Sequence, residues 1–348
     1  MVFRFLQSIF TATAGPAGKY GDATINAAIE RVVDGTDPRL RVVRHYRRKL
    51  WDAVERSVEY VVTLVDALPP AIDASHRAFT STPQLRASFV SPDHLRDVLS
   101  FSKHMRNYLR DNPGPLPAEL YAVLGMERGE RTVLGVELHG DLIRRDVPQT
   151  TVNFSNQRLA FPTDSERETR QELMKRAFDS LIELALANLV AIRTRRRHLE
   201  QLHGQLLEKK ASVMASARLG LESLLAPTTP TLADCAAIQR QLWDLEEELV
   251  QIRGDTATIE QLLARVAATL SAPEQHLRME RVSLTLDHMN VVAPPDSPRV
   301  ANTLIFDEAL LGNDRRLTVV LVRFPSSELL PQPDFFQEAQ RLLTPRIC

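Results

Sequence analysis

Apolar side chains recur at steps of three and four residues over residues 164–272, which is the longest regular pattern in the chain. In its second half they occupy ten positions: Cys235, Ile238, Leu242, Leu245, Leu249, Ile252, Ile259, Leu263, Val266 and Leu270. These steps place all ten at a or d positions of a seven-residue repeat about five heptads long, with Thr256 as its polar interruption. A repeat of that length predicts a partner helix, because a lone apolar stripe cannot otherwise be buried.

The first half of the same stretch supplies a partner with similar spacing: Phe178, Leu181, Ala185, Ile192, Leu199, Leu202, Leu206 and Val213. Residues 226–231 combine two prolines with threonines, which is typical of a helix stop followed by a new N-cap. We therefore predict an antiparallel coiled-coil hairpin. Its expected interaction residues are Leu242, Leu245, Leu249, Ile252, Ile259 and Leu263. The first arm is the longer one, so either it breaks near Gly204 or Gly220, or its excess packs on the preceding domain.

Residues 22–128 carry helical spacing throughout. Short helices are predicted at the two ends, over residues 23–33 and 118–124. Between them, longer helices are predicted to begin at Pro38 and after Ser91, where a capping residue precedes a proline in the first turn. This part of the chain is interpreted as an all-helical domain.

The spacing changes from helical to alternating on both sides of the hairpin. The predicted strands are residues 133–139, 150–154, 282–286, 303–306 and 317–322, and residues 159–161 are a further candidate strand. Because the hairpin returns near its starting point, strands from both sides are expected to meet in one small mixed sheet at its base. An amphipathic helix is predicted over residues 334–343.

The predicted fold class is mainly α with a smaller α+β part. The predicted segments are an N-terminal amphipathic segment (1–21), an α-helical domain (22–128), a β segment (129–163), the hairpin (164–272), and a β-sheet segment with a C-terminal helix (273–348) that pairs with 129–163. Strands flanking an inserted helical hairpin give a layout similar to that of periplasmic adaptor proteins of efflux and secretion systems. No paired half-motifs accompany it, so the sequence indicates no family.

Composition narrows the class of protein but not its function. The 348 residues are 44% hydrophobic and 25% charged, with a formal net charge of −1, as in ordinary globular chains. The longest apolar run, residues 184–192, is too short to cross a bilayer, and charged residues precede it closely. Two cysteines exclude a disulfide framework and a cysteine-built zinc site. We expect no cofactor and a cytoplasmic location.

Residues 1–14 contain no acidic residue and place several apolar side chains on one helical face. Three interpretations stay open: a secretory signal, a peripheral membrane contact, and a helix that docks on the protein itself. The docking helix is favoured, because the apolar region is short for a signal and only Arg4 could contact anionic lipid.

Two arginine clusters are candidates for nucleic-acid contact: Arg44, Arg47 and Arg48 in the first, and Arg195, Arg196 and Arg197 in the second. Such clusters could neutralise phosphates without reading sequence. Acidic residues follow each cluster closely, so salt-bridged, solvated helix faces are the favoured interpretation. Arg195 occupies a d position, where an arginine is expected either to set the register of the helices or to meet a carboxylate from another helix.

Glu137, His139 and Asp141 alternate along a predicted strand and form a weak candidate metal site. Asp287-His288 and Asp307-Glu308 are isolated acid or base candidates. The sequence contains no nucleophile elbow, no dinucleotide fingerprint and no phosphate loop. No catalytic residue is therefore predicted.

These patterns favour a non-enzymatic coiled-coil scaffold or adaptor that binds protein partners or a second copy of itself through the hairpin. The first alternative is a nucleic-acid-associated protein that uses the arginine clusters. The second is an unrecognised enzyme or metal-binding protein with a site on the sheet.

Overall fold

The computed structural model describes residues 21–139, 142–218, 232–256, 258–293, 300–312 and 315–331. The side chains of residues 137–139, 142–143, 216–218, 232–235 and 253–256 are not described within these ranges. Residues 1–20 of the predicted N-terminal segment and the predicted helix 334–343 lie outside them.

Contacts divide the described chain into two compact units. The helical unit comprises residues 21–57 and 179–273, and the sheet unit comprises residues 58–178 and 274–331. The division falls within two long helices, α2 (Tyr46–Asp66) and α6 (Glu166–Arg218). The five-segment division drawn from the sequence stays a prediction.

The sheet unit contains six strands: β1 (Ile72–Asp73), β2 (Glu119–His139), β3 (Leu142–Thr163), β4 (Leu277–Leu286), β5 (Asn302–Leu311) and β6 (Arg315–Pro325). Five of them follow the order β3-β2-β6-β5-β4 with antiparallel neighbours, and β1 pairs with β6 in parallel. Strands that precede the helical hairpin and strands that follow it thus belong to the same sheet.

One sheet face packs against three short helices, α3 (Pro83–Ser88), α4 (Pro92–Phe101) and α5 (Lys103–Asp111). The central strands direct alternate residues into this core: Leu120, Ala122, Leu124, Met126, Leu304, Phe306, Val322 and Phe324. The side chain of Ser102 accepts a hydrogen bond from the Met105 backbone and caps α5. The predicted single helix after Ser91 is therefore two helices.

The predicted helix over residues 118–124 is wrong, because these residues begin β2. Leu120, Ala122 and Leu124 enter the core with the short helices, and Val123 on the opposite sheet face is also buried. A strand covered on both faces has a continuous apolar run, which side-chain spacing does not distinguish from a buried helix.

The helical unit begins with α1 (Asp22–Thr36), followed by a 3₁₀ turn (Pro38–Val42). Asp37 caps this turn by accepting a hydrogen bond from the Arg39 backbone. His45 then adopts a φ of 58°, a left-handed conformation that interrupts the helix. The helix predicted to begin at Pro38 therefore begins at Tyr46.

The two arms of the hairpin differ in continuity. The first arm is α6, a single helix of 53 residues that continues through Gly204, which excludes a break at Gly204 among the alternatives considered for the longer arm. The second arm consists of α7 (Leu232–Thr256) and α8 (Ile259–Ser271). Thr258 and Gln261 form a reciprocal capping box that begins α8.

The predicted fold class, mainly α with a smaller α+β part, is wrong. The sheet has six strands, and two of them, β2 and β3, are 21 and 22 residues long. The protein is a mixed α and β fold in which a sizeable, mostly antiparallel sheet accompanies the long helices.

Candidate functional site

The arms α6 and α7 run antiparallel and contact each other through polar pairs along their length. Nε of Arg195 donates to a Glu248 oxygen at 3.0 Å, and Nε2 of His203 lies 3.2 Å from a Glu246 oxygen. Lys210 donates to the side chain of Gln239 further along. The contact expected for Arg195 with a carboxylate of another helix is confirmed.

Apolar residues between these pairs form the seam of the hairpin. Leu199 of α6 and Ile238, Leu242 and Leu249 of α7 are buried. Among the other predicted interaction residues, Leu263 in α8 is buried, and Leu245, Ile252 and Ile259 are half-buried. The chain itself covers much of this set, so contact with an outside partner through these residues stays a prediction.

Five large apolar side chains in the described parts of the same two arms remain exposed: Val190 of α6, which is 48% exposed, and two pairs. Leu207 and Met214 of α6 are 45% and 47% exposed, and Trp243 and Val250 of α7 are each 68% exposed. Each pair is seven residues apart, which places its members on one side of their helix. Helix α7 therefore presents one apolar stripe to the seam and a second stripe outwards.

Both outward pairs lie on the same side of the hairpin. Residues three or four apart are neighbours on a helix surface, so Leu207 and Met214 flank Lys210. By the same rule, Trp243 and Val250 flank Glu246. The cross-arm contacts of His203 with Glu246 and of Lys210 with Gln239 join these two surfaces. We call this surface the Trp243 face: Glu200, His203, Leu207, Lys210, Met214, Gln239, Trp243, Glu246 and Val250.

The opposite side of the hairpin differs in chemistry. It holds an open groove of about 480 Å³ whose apolar lining is Leu202, Leu206 and Leu245. Its other lining residues are polar: Gln205, Lys209, Gln241, Asp244 and Glu248. The two sides thus expose apolar groups differently, as projecting side chains on the Trp243 face and as the floor of a polar-walled groove behind it.

The Trp243 face was not predicted from the sequence, although its signal is present there. The seven-residue spacing of Leu207 with Met214 and of Trp243 with Val250 can be read directly. These positions fall outside the a and d register of the seam. Which side of each helix is covered depends on how the two arms pair. The structure shows that no described residue covers the side that carries these four side chains.

Carboxylates neutralise half of the arginines proposed for nucleic-acid contact. Arg47 lies 2.8 Å from Glu30, and Arg196 donates to Glu200 at 3.0 Å, in addition to the Arg195 pair described above. Arg44, Arg48 and Arg197 are exposed, and the contacts of the described chain give them no carboxylate partner. Contact of either cluster with nucleic acid stays a prediction.

Two acidic side chains near the first arginine cluster, Glu30 and Asp37, accept hydrogen bonds from arginines. Burial favours a higher pKa for Glu30, but hydrogen bonds from Tyr46, Arg41 and Arg47 hold that pKa below its ordinary value. Asp37 accepts hydrogen bonds from Arg39 and Arg193 at 2.8 and 2.7 Å. These bonds, led by that of Arg39, hold the pKa of Asp37 well below its usual range despite burial.

The proposed metal site is only partly described. Glu137 and His139 lie in β2, but their side chains and the whole of Asp141 lie outside the described residues. Elsewhere, within the described ranges, no group of three His, Cys, Asp or Glu side chains could hold a metal ion. The metal candidate set stays a prediction.

The isolated acidic candidates on the sheet have structural partners. Glu308, which is buried, accepts hydrogen bonds from Arg128, and Asp307 accepts one from Arg281 at 3.1 Å. The Asp287 carboxylate accepts hydrogen bonds from the backbone of Met289 and Val291 at 2.8 and 2.9 Å. These contacts give each carboxylate a structural role, and an acid or base role for them stays a prediction.

The sheet unit also has an open cavity of about 740 Å³. Its lining includes Val133, Val136, His288, Met289 and Val300. Val300 directly follows residues 294–299, which lie outside the described ranges, so the full lining of this cavity is not defined. We assign it no ligand.

Comparison with known proteins found no matching family model, no matching curated protein and no matching solved structure. Among the described helices, none combines the length and the apolar character needed to cross a membrane. The candidate site therefore rests on the geometry of the hairpin.

Proposed function

We propose that this protein is a non-enzymatic scaffold or adaptor that assembles protein complexes through its helical hairpin. The observation that carries this proposal is the Trp243 face, where four large apolar side chains project at seven-residue spacing. Burying one such side chain is worth about 1.5–3 kcal/mol. Contiguous exposed apolar groups within a polar rim are typical of protein interaction surfaces.

The shape of the surface favours a helical partner. Apolar side chains at seven-residue spacing on two neighbouring helices form ridges that fit between the side chains of another helix. An amphipathic helix laid along the hairpin would cover both apolar pairs at once. We further propose a cytoplasmic location, supported by the low cysteine content of the chain.

The proposal is tested by affinity purification of the full chain from its native host, with mass spectrometry of the co-purified proteins. The test variant is Leu207→Glu/Trp243→Glu, which places two charges on the Trp243 face. The matched control is Gln205→Glu/Gln241→Glu, which adds the same two charges to the same two helices on the groove side. We expect stoichiometric protein partners with the native chain and the control, and their loss with the test variant.

Two outcomes would overturn the proposal. One is the absence of any stoichiometric protein partner for the native chain. The other is equal recovery of the partners by the test variant and the control, because the Trp243 face would then carry no interaction.

The same purification tests the alternative of nucleic-acid binding, which is supported by the exposed Arg44, Arg48 and Arg197. Co-purified nucleic acid that is released by salt, and that is lost on replacing these three residues with Ala, would favour the alternative. Absorbance at 260 nm that does not depend on salt or on these residues would exclude it.

A further inference from the structure

The Trp243 face has features of a surface that pairs with a copy of itself. We infer that two copies of this chain associate through their Trp243 faces around a two-fold axis, forming a four-helix arrangement. This inference goes beyond the proposed function, because it assigns the Trp243 face a single occupant, a second copy of this chain. Its evidence is the pattern of charge and of apolar side chains along the hairpin.

The charges on this face do not favour a partner of a single sign. Glu200 and Glu246 are acidic, whereas Lys210 is basic, as is Arg196, which donates to Glu200 on the same side of α6. His203 lies between these charges. A strongly acidic or basic helix would meet repulsion at some of these positions. A second copy supplies both signs, and a two-fold axis presents them in the reverse order.

The contacts between the arms define the level of each residue along the hairpin. Residues 203 and 210 of α6 lie opposite residues 246 and 239 of α7, so Trp243 lies at about the level of residue 206. Glu200 therefore lies about six residues from the level of Trp243, and Lys210 lies about four residues from it in the opposite direction. At 1.5 Å per residue, these offsets differ by only about 3 Å.

A two-fold axis that crosses the hairpin at the level of Trp243 therefore matches opposite charges. It brings Lys210 of one copy to within about 3 Å, measured along the helix, of the level of Glu200 in the other. Symmetry produces this pair twice. Glu200 also accepts a hydrogen bond from Arg196 of its own helix, which holds its carboxylate on this side of α6.

The same axis matches the apolar side chains. Trp243 lies on the axis and meets Trp243 of the other copy, with the two Leu207 side chains about one residue to either side. Met214 lies about eight residues from the axis, and Val250 lies about seven residues from it in the opposite direction. Rotation places Met214 of one copy in the same layer as Val250 of the other, so all four large apolar side chains of the Trp243 face are covered.

The test uses the full chain, with its mass measured by light scattering and its dissociation constant by sedimentation over a concentration series. We expect a dimer that becomes a monomer on Trp243→Glu, while the helix content measured by circular dichroism stays unchanged because Trp243 is exposed within a single chain. The control Gln205→Glu, on the groove side, is expected to stay dimeric. A native chain that is monomeric throughout the series would overturn the inference, as would a dimer that Trp243→Glu leaves intact.

Charge reversal tests the two-fold geometry itself. Lys210→Glu and Glu200→Lys should each raise the dimer dissociation constant about tenfold, because each replaces two attractive pairs with repulsive ones. The double variant Glu200→Lys/Lys210→Glu should restore the native constant. The two positions are ten residues apart in one helix, so rescue requires contact between copies. Failure of the rescue would overturn the proposed axis.

The outcomes separate this inference from the proposed function. A monomeric chain whose host partners are still lost with Leu207→Glu/Trp243→Glu overturns self-association and leaves the scaffold function standing. A dimer with the expected charge rescue, but with no other protein recovered from the host, supports this inference and contradicts a role in assembling complexes with other proteins.

Discussion

Strand β6 and helix α7 both carry apolar residues on two sides, and they differ in how many of those sides are covered. In β6, the neighbours Leu321 and Val322 point to opposite faces of the sheet, and both are buried. In α7, Leu249 is buried in the seam, whereas its neighbour Val250 is exposed. The strand satisfies its apolar residues within the chain, and the helix leaves one stripe for another surface.

The difference follows from the number of neighbours that each element has. β6 lies between β2 and β5, in a sheet whose central strands have buried residues on both faces. In the described chain, α7 has one antiparallel partner along its length, so a single stripe is enough to pair it. A second stripe at the same spacing on the outer side has no role in that pairing. Exposure combined with regular spacing therefore distinguishes the Trp243 face from scattered surface leucines and valines.

The largest expected effects on stability come from placing a charged residue at the neighbouring positions compared above in β6 and α7. Leu321→Asp, Val322→Asp and Leu249→Asp should each lower the free energy of unfolding by about 4 kcal/mol or more, because each buries an unpaired carboxylate. Val250→Asp should change it by less than about 0.5 kcal/mol, since the side chain is solvated. Denaturant unfolding of the full chain measures all four.

Equal destabilisation by Leu249→Asp and Val250→Asp would contradict this comparison, because α7 would then be covered on both sides like β6. An unchanged stability of the Val322→Asp variant would also contradict this comparison, because it would show that one face of the sheet is open.

Two ion pairs extend the comparison between the sheet and the hairpin, and removing them should have effects of intermediate size on stability. Arg128→Ala should cost about 3–5 kcal/mol, because Glu308 is only 2% exposed and would lose the cation that neutralises it. Arg195→Ala should cost about 0.2–1 kcal/mol, because its pair with Glu248 on the hairpin is exposed to solvent. Thermal unfolding of the two variants beside the native chain measures the difference. Similar costs would show that solvent exposure does not separate the two pairs.

Glycine substitutions in two helices should produce small effects of opposite sign. A Cβ at Gly35 would lie 2.5 Å from Cγ2 of Ile182, whereas a Cβ at Gly204 would meet nothing within 4 Å outside its own helix. Gly35→Ala should therefore destabilise the chain by about 1 kcal/mol through overpacking. Gly204→Ala should stabilise it by about 0.5–1 kcal/mol through better helix propensity. A stabilising Gly35→Ala would show that α1 and α6 are not closely packed there.

The sequence predicted elements well where a single face is buried. The apolar steps of three and four in the hairpin correspond to α6, α7 and α8, and the alternating residues 282–286 lie in β4. The beginning of β2 was misread as a helix because both of its faces are covered. Neither face then carries polar residues that would reveal the period of two.

Local capping explains a second group of differences between the predicted and the observed helices. The break between α7 and α8 depends on Thr258 and Gln261, a pattern that the sequence contains but that the apolar repeat continues across. The candidate surface could be predicted less well than the fold. The spacing of Trp243 and Val250 is readable, but which stripe a partner helix covers is decided by tertiary pairing.

The pairing of β2 with β6 has a consequence for folding during synthesis. Met126 in β2 pairs with Thr318 in β6, so about 190 residues, including the whole hairpin, are made between the two partners. At ribosomal rates this delay is roughly 10–40 s. During that time, β2 and β3 can pair locally, but the edge of β2 that will receive β6 stays open. An open strand edge next to apolar residues is a site for aggregation, so the nascent chain is expected to depend on chaperones in this interval.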